Sequence, residues 1–171
     1  MELTLFTEEQ IRERIKSLAN EIYEDHKNSD PLIFVCILRG SFLFFADLIR
    51  EIKLDVETEF IQVSSYENEV TAQPTLTIKS DIKTLPKNAT VILVDDIIDT
   101  GRTLESLTAI YKSKGISNIK TAALICRPSS KNKVNYYGFE IGDEWIYGYG
   151  LDLKSKKRNL KEIKYLETNI D

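Results

Sequence analysis

The sequence predicts an α/β domain: a mostly parallel, twisted sheet flanked by helices. Three observations carry that expectation. Short, almost wholly apolar runs, suited to strands covered on both faces, alternate with stretches of helical periodicity. The order strand, helix, strand occurs twice. The 171 residues, 42% of them hydrophobic, fit one domain with no break in composition.

Each element has its own signal. Thr7 and Gln10 form a capping-box start, and Ile11, Ile15, Leu18 and Ile22 recur at helical spacing, so residues 7–26 read as one amphipathic helix. His26, the single histidine, lacks a metal-ligand partner at useful spacing and reads as a surface residue near the end of that helix. Pro31 opens the strand LIFVCIL; after RGS, the segment SFLFFADLIREI from Ser41 reads as a helix with a broad apolar face, and VETEFIQV as the next strand. Residues 64–72, SSYENEVTA, are polar and without periodicity, which predicts a loop long enough to move, and TLTIKSDI adds a short strand. Pro86 and Asn88 mark a turn before the strand TVILV. Residues 103–114 then read as a helix ended by Gly115, and IKTAALI as another strand. After Pro128 short aromatic-rich strands, YYGFEI and EWIYGYGLDL, predict a small antiparallel appendage over the same edge of the sheet.

Charge and composition narrow the function. With 23 Lys plus Arg against 27 Asp plus Glu, the net charge of −4 argues against extended contact with nucleic acid but leaves room for a compact polyanion. The acidic start MELTLFTEEQ does not resemble a secretory signal, and no segment approaches the roughly 18 uninterrupted apolar residues of a membrane span, so a cytoplasmic protein is expected. Cys36 and Cys126 lie inside apolar strand-like runs and read as buried, reduced thiols.

The stretch VILVDDIIDTGRTL concentrates the chemistry. Thr100, Gly101, Arg102 and Thr103 lie between a strand and a helix, where backbone N–H groups and hydroxyls converge on an anion with help from the helix dipole. Such a turn also begins many helices that bind nothing. An acidic first turn would explain Asp99, but not Asp95 and Asp96 closing an apolar strand; negative charges beside a phosphate need hydroxyl donors or a divalent cation between them. A ribose phosphate with Mg²⁺ supplies both.

The same stretch resembles the phosphoribosyl diphosphate (PRPP) binding motif of type I phosphoribosyltransferases. LRGSFLFFADL resembles the pyrophosphate loop of hypoxanthine and hypoxanthine-guanine phosphoribosyltransferases, and GFEIGDEWIYGYGLDLKSKKRNL resembles their purine-binding C-terminal segment. The resemblance implies the type I phosphoribosyltransferase fold over residues 1–171 as a single domain, with a small hood formed by the N-terminal segment and roughly residues 128–171. It implies that Asp99, Thr100, Gly101, Arg102 and Thr103 hold the 5′-phosphate, that Asp95 and Asp96 serve the ribose hydroxyls and nearby Mg²⁺, and that Asp99 is the candidate general base. Arg39, Gly40 and Arg158 would meet pyrophosphate, with a peptide bond before Arg39 that can be cis. Trp145 would stack on the purine, Ile146 would follow with backbone that reads the base edge, Asp152 would serve a second Mg²⁺ site, and Ser65 and Tyr66 would belong to a mobile lid.

The chain departs from the family pattern in three places. Asp95 stands where Glu is common, Glu67 where Gly is usual, and Arg127 where a Lys usually donates to the 6-oxo group of the base; Arg also donates, but as a planar fork. The expected activity is Mg²⁺-dependent purine salvage: transfer of the 5-phosphoribosyl group from PRPP to N9 of hypoxanthine, with guanine as a second 6-oxopurine base, giving the nucleoside monophosphate and pyrophosphate. A homodimer or homotetramer is implied, with the SFLFFADLI helix as candidate interface or ordinary core. The competing readings are a non-catalytic PRPP- or nucleotide-binding regulatory protein of the same fold and, more remotely, a signalling receiver domain, whose acid pair should follow the first strand.

Overall fold

The computed structural model describes residues 2–29, 31–67, 74–80 and 82–166. In chain order the elements are β1 (Glu2–Phe6), α1 (Glu8–His26), β2 (Leu32–Leu38), α2 (Phe42–Glu51), β3 (Glu57–Glu67), β4 (Pro74–Ile78), β5 (Thr90–Ile98), α3 (Arg102–Ser113), β6 (Asn118–Cys126), a 3-10 turn (Pro128–Lys133), β7 (Tyr136–Glu140), β8 (Ile146–Tyr147) and β9 (Ile163–Leu166).

The main sheet has the order β4-β3-β2-β5-β6-β7, parallel except for the β3–β4 pair. Side-chain alternation divides it between two cores. Leu32, Phe34, Cys36, Ile92 and Val94 face Ile11, Leu18 and Ile22 of α1 and Phe44 and Leu48 of α2. Ile33, Val35, Val91 and Leu93 face Leu104, Leu107 and Tyr111 of α3. Because helices cover both faces, β2 is buried through Ile37 and shows no polar alternation, as the LIFVCIL run predicts. Each fully covered Leu or Ile contributes roughly 1.5–3 kcal/mol relative to exposure.

The chain leaves β2 in one direction through β3 and β4, then returns to the other side of β2 with β5. The carboxyl ends of β2 and β5 therefore flank the point where the winding reverses, the usual place for a ligand crevice in such sheets. A second sheet, β1-β9-β8, is antiparallel throughout and joins the N-terminal strand to the C-terminal segment. Phe6 of β1 stacks on Phe139 of β7, with ring centroids 3.9 Å apart, and so ties the small sheet to the large one.

Helix α1 starts as predicted: Gln10 N–H donates to Thr7 Oγ1 at 3.2 Å and Thr7 N–H to Gln10 Oε1 at 2.9 Å. Both cysteines are buried and free. Among the described residues no helix is long and apolar enough to cross a membrane.

Four expectations are corrected. YYGFEI is not part of an antiparallel appendage; as β7 it extends the main sheet in parallel with β6, and Arg14 of α1 covers its free edge through bonds to the Tyr137 and Gly138 carbonyls at 2.6 and 2.7 Å. EWIYGYGLDL is not one strand: only Ile146 and Tyr147 pair with another strand, because Gly148 and Gly150 at φ +96° turn the chain back on itself, with Gly148 bridged to Leu151. Residues 64–67 are not loop but the end of β3, held by β4; residues 68–72 of that predicted loop, and the side chains of Ser65, Tyr66 and Glu67, lie outside the described residues.

His26, read from sequence as a surface residue, is 4% exposed, with Nε2 3.0 Å from the Tyr136 hydroxyl, which in turn donates to Asp25 at 2.8 Å. A residue 110 positions away covers it, and no local pattern announces that. Burial lowers the imidazole pKa, and Lys120 adds to the effect against Asp25. The unfolded chain takes up this proton near pH 6.5, the folded chain only at lower pH, so its stabilising contribution is complete above about pH 6.5 and is lost as pH falls below it. Between about pH 7 and about pH 5 the urea midpoint of the wild type should therefore fall more steeply than that of His26→Asn; parallel slopes would refute the assignment.

Candidate active site

The crevice at the winding reversal is built from the ends of β2 and β5. After β2 the peptide bond between Leu38 and Arg39 is cis, and the buried Ser41 hydroxyl donates to the Ile37 carbonyl, which pins the turn carrying Arg39 and Gly40. Gly40 lies directly against the Asp96 side chain: a Cβ at Gly40 would overlap the carboxylate. From the other side Gly150, at φ +96°, approaches so closely that its own Cβ would overlap the Gly40 carbonyl. At Gly150 the backbone approach and the positive φ require glycine, whereas at Gly40 a side chain would have to displace the Asp96 carboxylate.

Asp95 and Asp96 close the buried part of β5. Asp96 N–H donates to Asp95 Oδ1 at 3.0 Å and Ile97 N–H to Asp96 Oδ1 at 2.9 Å. Both residues keep some accessible surface toward the crevice, yet burial raises both carboxyls above the usual carboxylate range. The charge of Asp96 pushes Asp95 further, whereas the hydrogen bond with Asp95, the Ile97 amide and the positive charge of Arg158 restrain Asp96. Arg158 is itself anchored, with Nη1 2.6 Å from the Gly150 carbonyl and Nη2 2.7 Å from Asp152 Oδ1. The second Asp152 oxygen accepts from Ser155 N–H at 2.8 Å.

Beyond β5, residues 99–104 wrap a small cavity of about 100 Å³. Gly101, at φ +78°, is the N-cap of α3, and no side chain caps that helix. Apart from the Arg102 N–H, which makes a long 3.5 Å bond to Thr100 Oγ1, its first-turn N–H groups are available to an anion. On the other flank Arg127 N–H donates to the Ile98 carbonyl at 3.0 Å, so the end of β6 is tied to the residue before Asp99. The Arg127 guanidinium donates through Nη2 to the Glu144 carbonyl at 3.0 Å, while its Nη1 is buried without a protein partner. Trp145, next to Glu144, is 66% exposed, so a core role for this indole is excluded. The Ile146 side chain is buried in the core, which leaves its backbone to serve any ligand.

The family profile described as "Phosphoribosyl transferase domain" matches residues 4–154. The chain belongs to the phosphoribosyltransferase family. Its relatives are specific in kind. The hypoxanthine-guanine phosphoribosyltransferase of Dictyostelium discoideum is 36% identical over 95% of this chain and 92% of its own. The hypoxanthine phosphoribosyltransferase of Haemophilus influenzae is 38% identical over 93% and 92%. Among solved structures, a hypoxanthine phosphoribosyltransferase from Staphylococcus aureus superposes with a TM-score of 0.88 at 33% identity, covering 96% of this chain and 91% of that one.

Within this phosphoribosyltransferase the residues singled out in the sequence fall into two connected groups. Gly40, Asp96, Asp152 and Arg158 meet around Gly150, and Asp95 adjoins them. Asp99, Thr100, Gly101, Arg102 and Thr103 form the loop around the small cavity, joined through the Ile98 carbonyl to Arg127, whose guanidinium reaches the Glu144 carbonyl next to Trp145. Arg39 is exposed at the crevice edge. Sequence reasoning missed Gly150, Ser41, Ser130 and the Glu144 carbonyl. For Gly150 the repeated glycines of GYGLD are a legible signal, and Ser41 bonds only four residues back, to Ile37, within the RGS turn; for Ser130 and the Glu144 carbonyl the partner is remote and there is none.

Proposed function

We propose that this chain transfers the 5-phosphoribosyl group of PRPP to N9 of hypoxanthine, and of guanine, releasing pyrophosphate and leaving the nucleoside monophosphate. The observation that carries the reading is the contact between Gly40 and Asp96, which brings the pyrophosphate turn onto the strand that leads into the phosphate loop at the point where the sheet reverses.

The residues fit Mg²⁺. Two adjacent carboxylates whose ionisation is opposed by burial form a site that gains from a hard cation, and Mg²⁺ needs only one or two such ligands beside substrate oxygens and water. Asp95 and Asp96 would hold it at the ribose side, and Asp152, now paired to Arg158, at the pyrophosphate side. When bound it would neutralise charge developing on the departing pyrophosphate.

The chain's own groups supply the rest. The loop from Asp99 to Thr103 holds the 5′-phosphate, and Arg39, Gly40 and Arg158 take the pyrophosphate. Trp145 stacks on the base, and Arg127, whose Nη1 lacks a protein partner, supplies the donor to the 6-oxo group. As the bond from C1′ to pyrophosphate oxygen breaks and the bond from N9 to C1′ forms, Asp99 accepts the proton that the base gives up. Ser65 and Tyr66 belong to the lid that keeps water from the cationic sugar.

The small sheet β1-β9-β8 with the loops around it is the hood of a single domain spanning residues 1–171. We assign the protein to the cytoplasm and to a homodimer or homotetramer. Phe42 of α2 and Phe60 of β3, 41% and 52% exposed, mark a candidate contact face. A Trypanosoma cruzi relative, 33% identical, has been studied for the role of its C-terminal region in oligomeric state and enzymatic activity.

Pyrophosphate release from PRPP with Mg²⁺, measured in parallel with hypoxanthine, guanine, xanthine, adenine and uracil, tests the reading. Turnover with 6-oxopurines alone is the expected result. Binding of PRPP with no turnover on any base would favour the regulatory alternative.

A further inference from the structure

The connection between β6 and β7 has no α-helix; it is the six-residue 3-10 turn Pro128–Lys133, and it lies behind the anion loop. Ser130, 1% exposed, donates its hydroxyl to the Asp99 carbonyl. Its own N–H donates to the Arg127 carbonyl at 2.9 Å, which fixes the hydroxyl in place. Lys133 Nζ donates to the Thr100 carbonyl at 2.8 Å and pairs with Glu105, in the first turn of α3, at 2.9 Å. The aliphatic stem of Lys133 covers Gly101 so closely that a Cβ there would come within 2.6 Å of its Cδ.

Two successive carbonyls are thus tied to one turn. In a planar trans peptide the N–H points opposite to the C=O, so holding the Asp99 and Thr100 carbonyls also aims the N–H groups of Thr100 and Gly101 away from the turn. The cavity in the loop is lined by Asp95, Ile97, Ile98 and the chain from Asp99 to Leu104; neither Ser130 nor Lys133 lines it. The turn holds the loop from outside. Lys133 also neutralises Glu105, whose charge would otherwise oppose an anion at this helix start.

We propose that Ser130 and Lys133 are positioning residues for the 5′-phosphate: the 3-10 turn aims the loop amides at the anion while touching no substrate itself. The inference rests on the assignment of this loop to the 5′-phosphate. It predicts a selective defect, because pyrophosphate is assigned to Arg39, Gly40 and Arg158 on the far side of the crevice.

Calorimetric titration of ribose 5-phosphate, PRPP and pyrophosphate, each with Mg²⁺, into wild type, Ser130→Ala and Lys133→Met provides the test. Ser130→Ala, which leaves a carbonyl without its buried donor, should weaken ribose 5-phosphate and PRPP by about ten-fold. Lys133→Met removes an exposed donor and should weaken them by about three-fold, with Lys133→Arg restoring affinity. Pyrophosphate affinity should be unchanged in all variants. Equal loss for all three ligands, or no loss for any, would overturn the proposal. So would full restoration of Lys133→Met by adding Glu105→Gln, which would reduce the lysine to a counter-charge. Lys133 is exposed, so its variants carry the test on their own if Ser130→Ala does not fold. Should wild type bind pyrophosphate but not ribose 5-phosphate, the loop assignment itself falls, and this proposal with it.

Discussion

Replacing Asp99 by Asn is expected to lower kcat by about 10²- to 10⁴-fold while leaving the KM for PRPP close to that of the wild type. The amide has nearly the same shape but accepts no proton. The backbone that shapes the loop is held by contacts the substitution does not touch: the Asp99 carbonyl by Ser130, the Ile98 carbonyl by the Arg127 N–H. Binding and chemistry should separate for that reason. Steady-state kinetics with varied PRPP at saturating hypoxanthine decide it. A fall in kcat of less than about ten-fold would remove Asp99 from the proton-accepting role and leave it as a loop residue.

Gly40→Ala should cost about 10²-fold in kcat/KM with a much smaller effect on folding. The new methyl would occupy the position of the Asp96 carboxylate, and Gly150 packs closely on the Gly40 carbonyl, which limits how far the turn can shift. Asp96 must rotate, losing the bond from Ile97 N–H and its alignment with Arg158. Overpacking of this kind costs about 1–3 kcal/mol of stability, which a two-core domain tolerates, whereas a displacement of about 1 Å in a substrate-positioning group is enough for the kinetic loss. If the damage runs through Asp96, Gly40→Ala and Asp96→Asn must be non-additive. Multiplicative effects in the double variant would show that the glycine serves pyrophosphate independently of the carboxylate.

Legibility in the sequence followed the range of the interactions concerned. Thr7 and Gln10 bond across three residues, and the α1 start was readable; β5, the anion turn and α3 form one continuous stretch, and VILVDDIIDTGRTL announced all three. His26 was misread because its partner Tyr136 comes from the other end of the chain. β7 was misplaced because a five-residue aromatic run suits either a parallel or an antiparallel neighbour, and only the packing of α1 against it selects the first. β1 and β9, each of five residues or fewer, were not identified as strands at all. Such short segments gain their strand character from pairing with each other, not from propensity.

By itself the sequence determined the fold class, the family and the chemical inventory of the crevice, since apolar periodicity and a contiguous motif need no knowledge of neighbours. Only the tertiary structure decided that β5 returns beside β2, that Gly40 therefore meets Asp96, that Arg158 and Gly150 adjoin them, and that Ser130 and Lys133 hold the carbonyls of Asp99 and Thr100. The physical reason is that strand order is set by which faces of remote segments bury each other, a many-body packing result that no local residue pattern encodes.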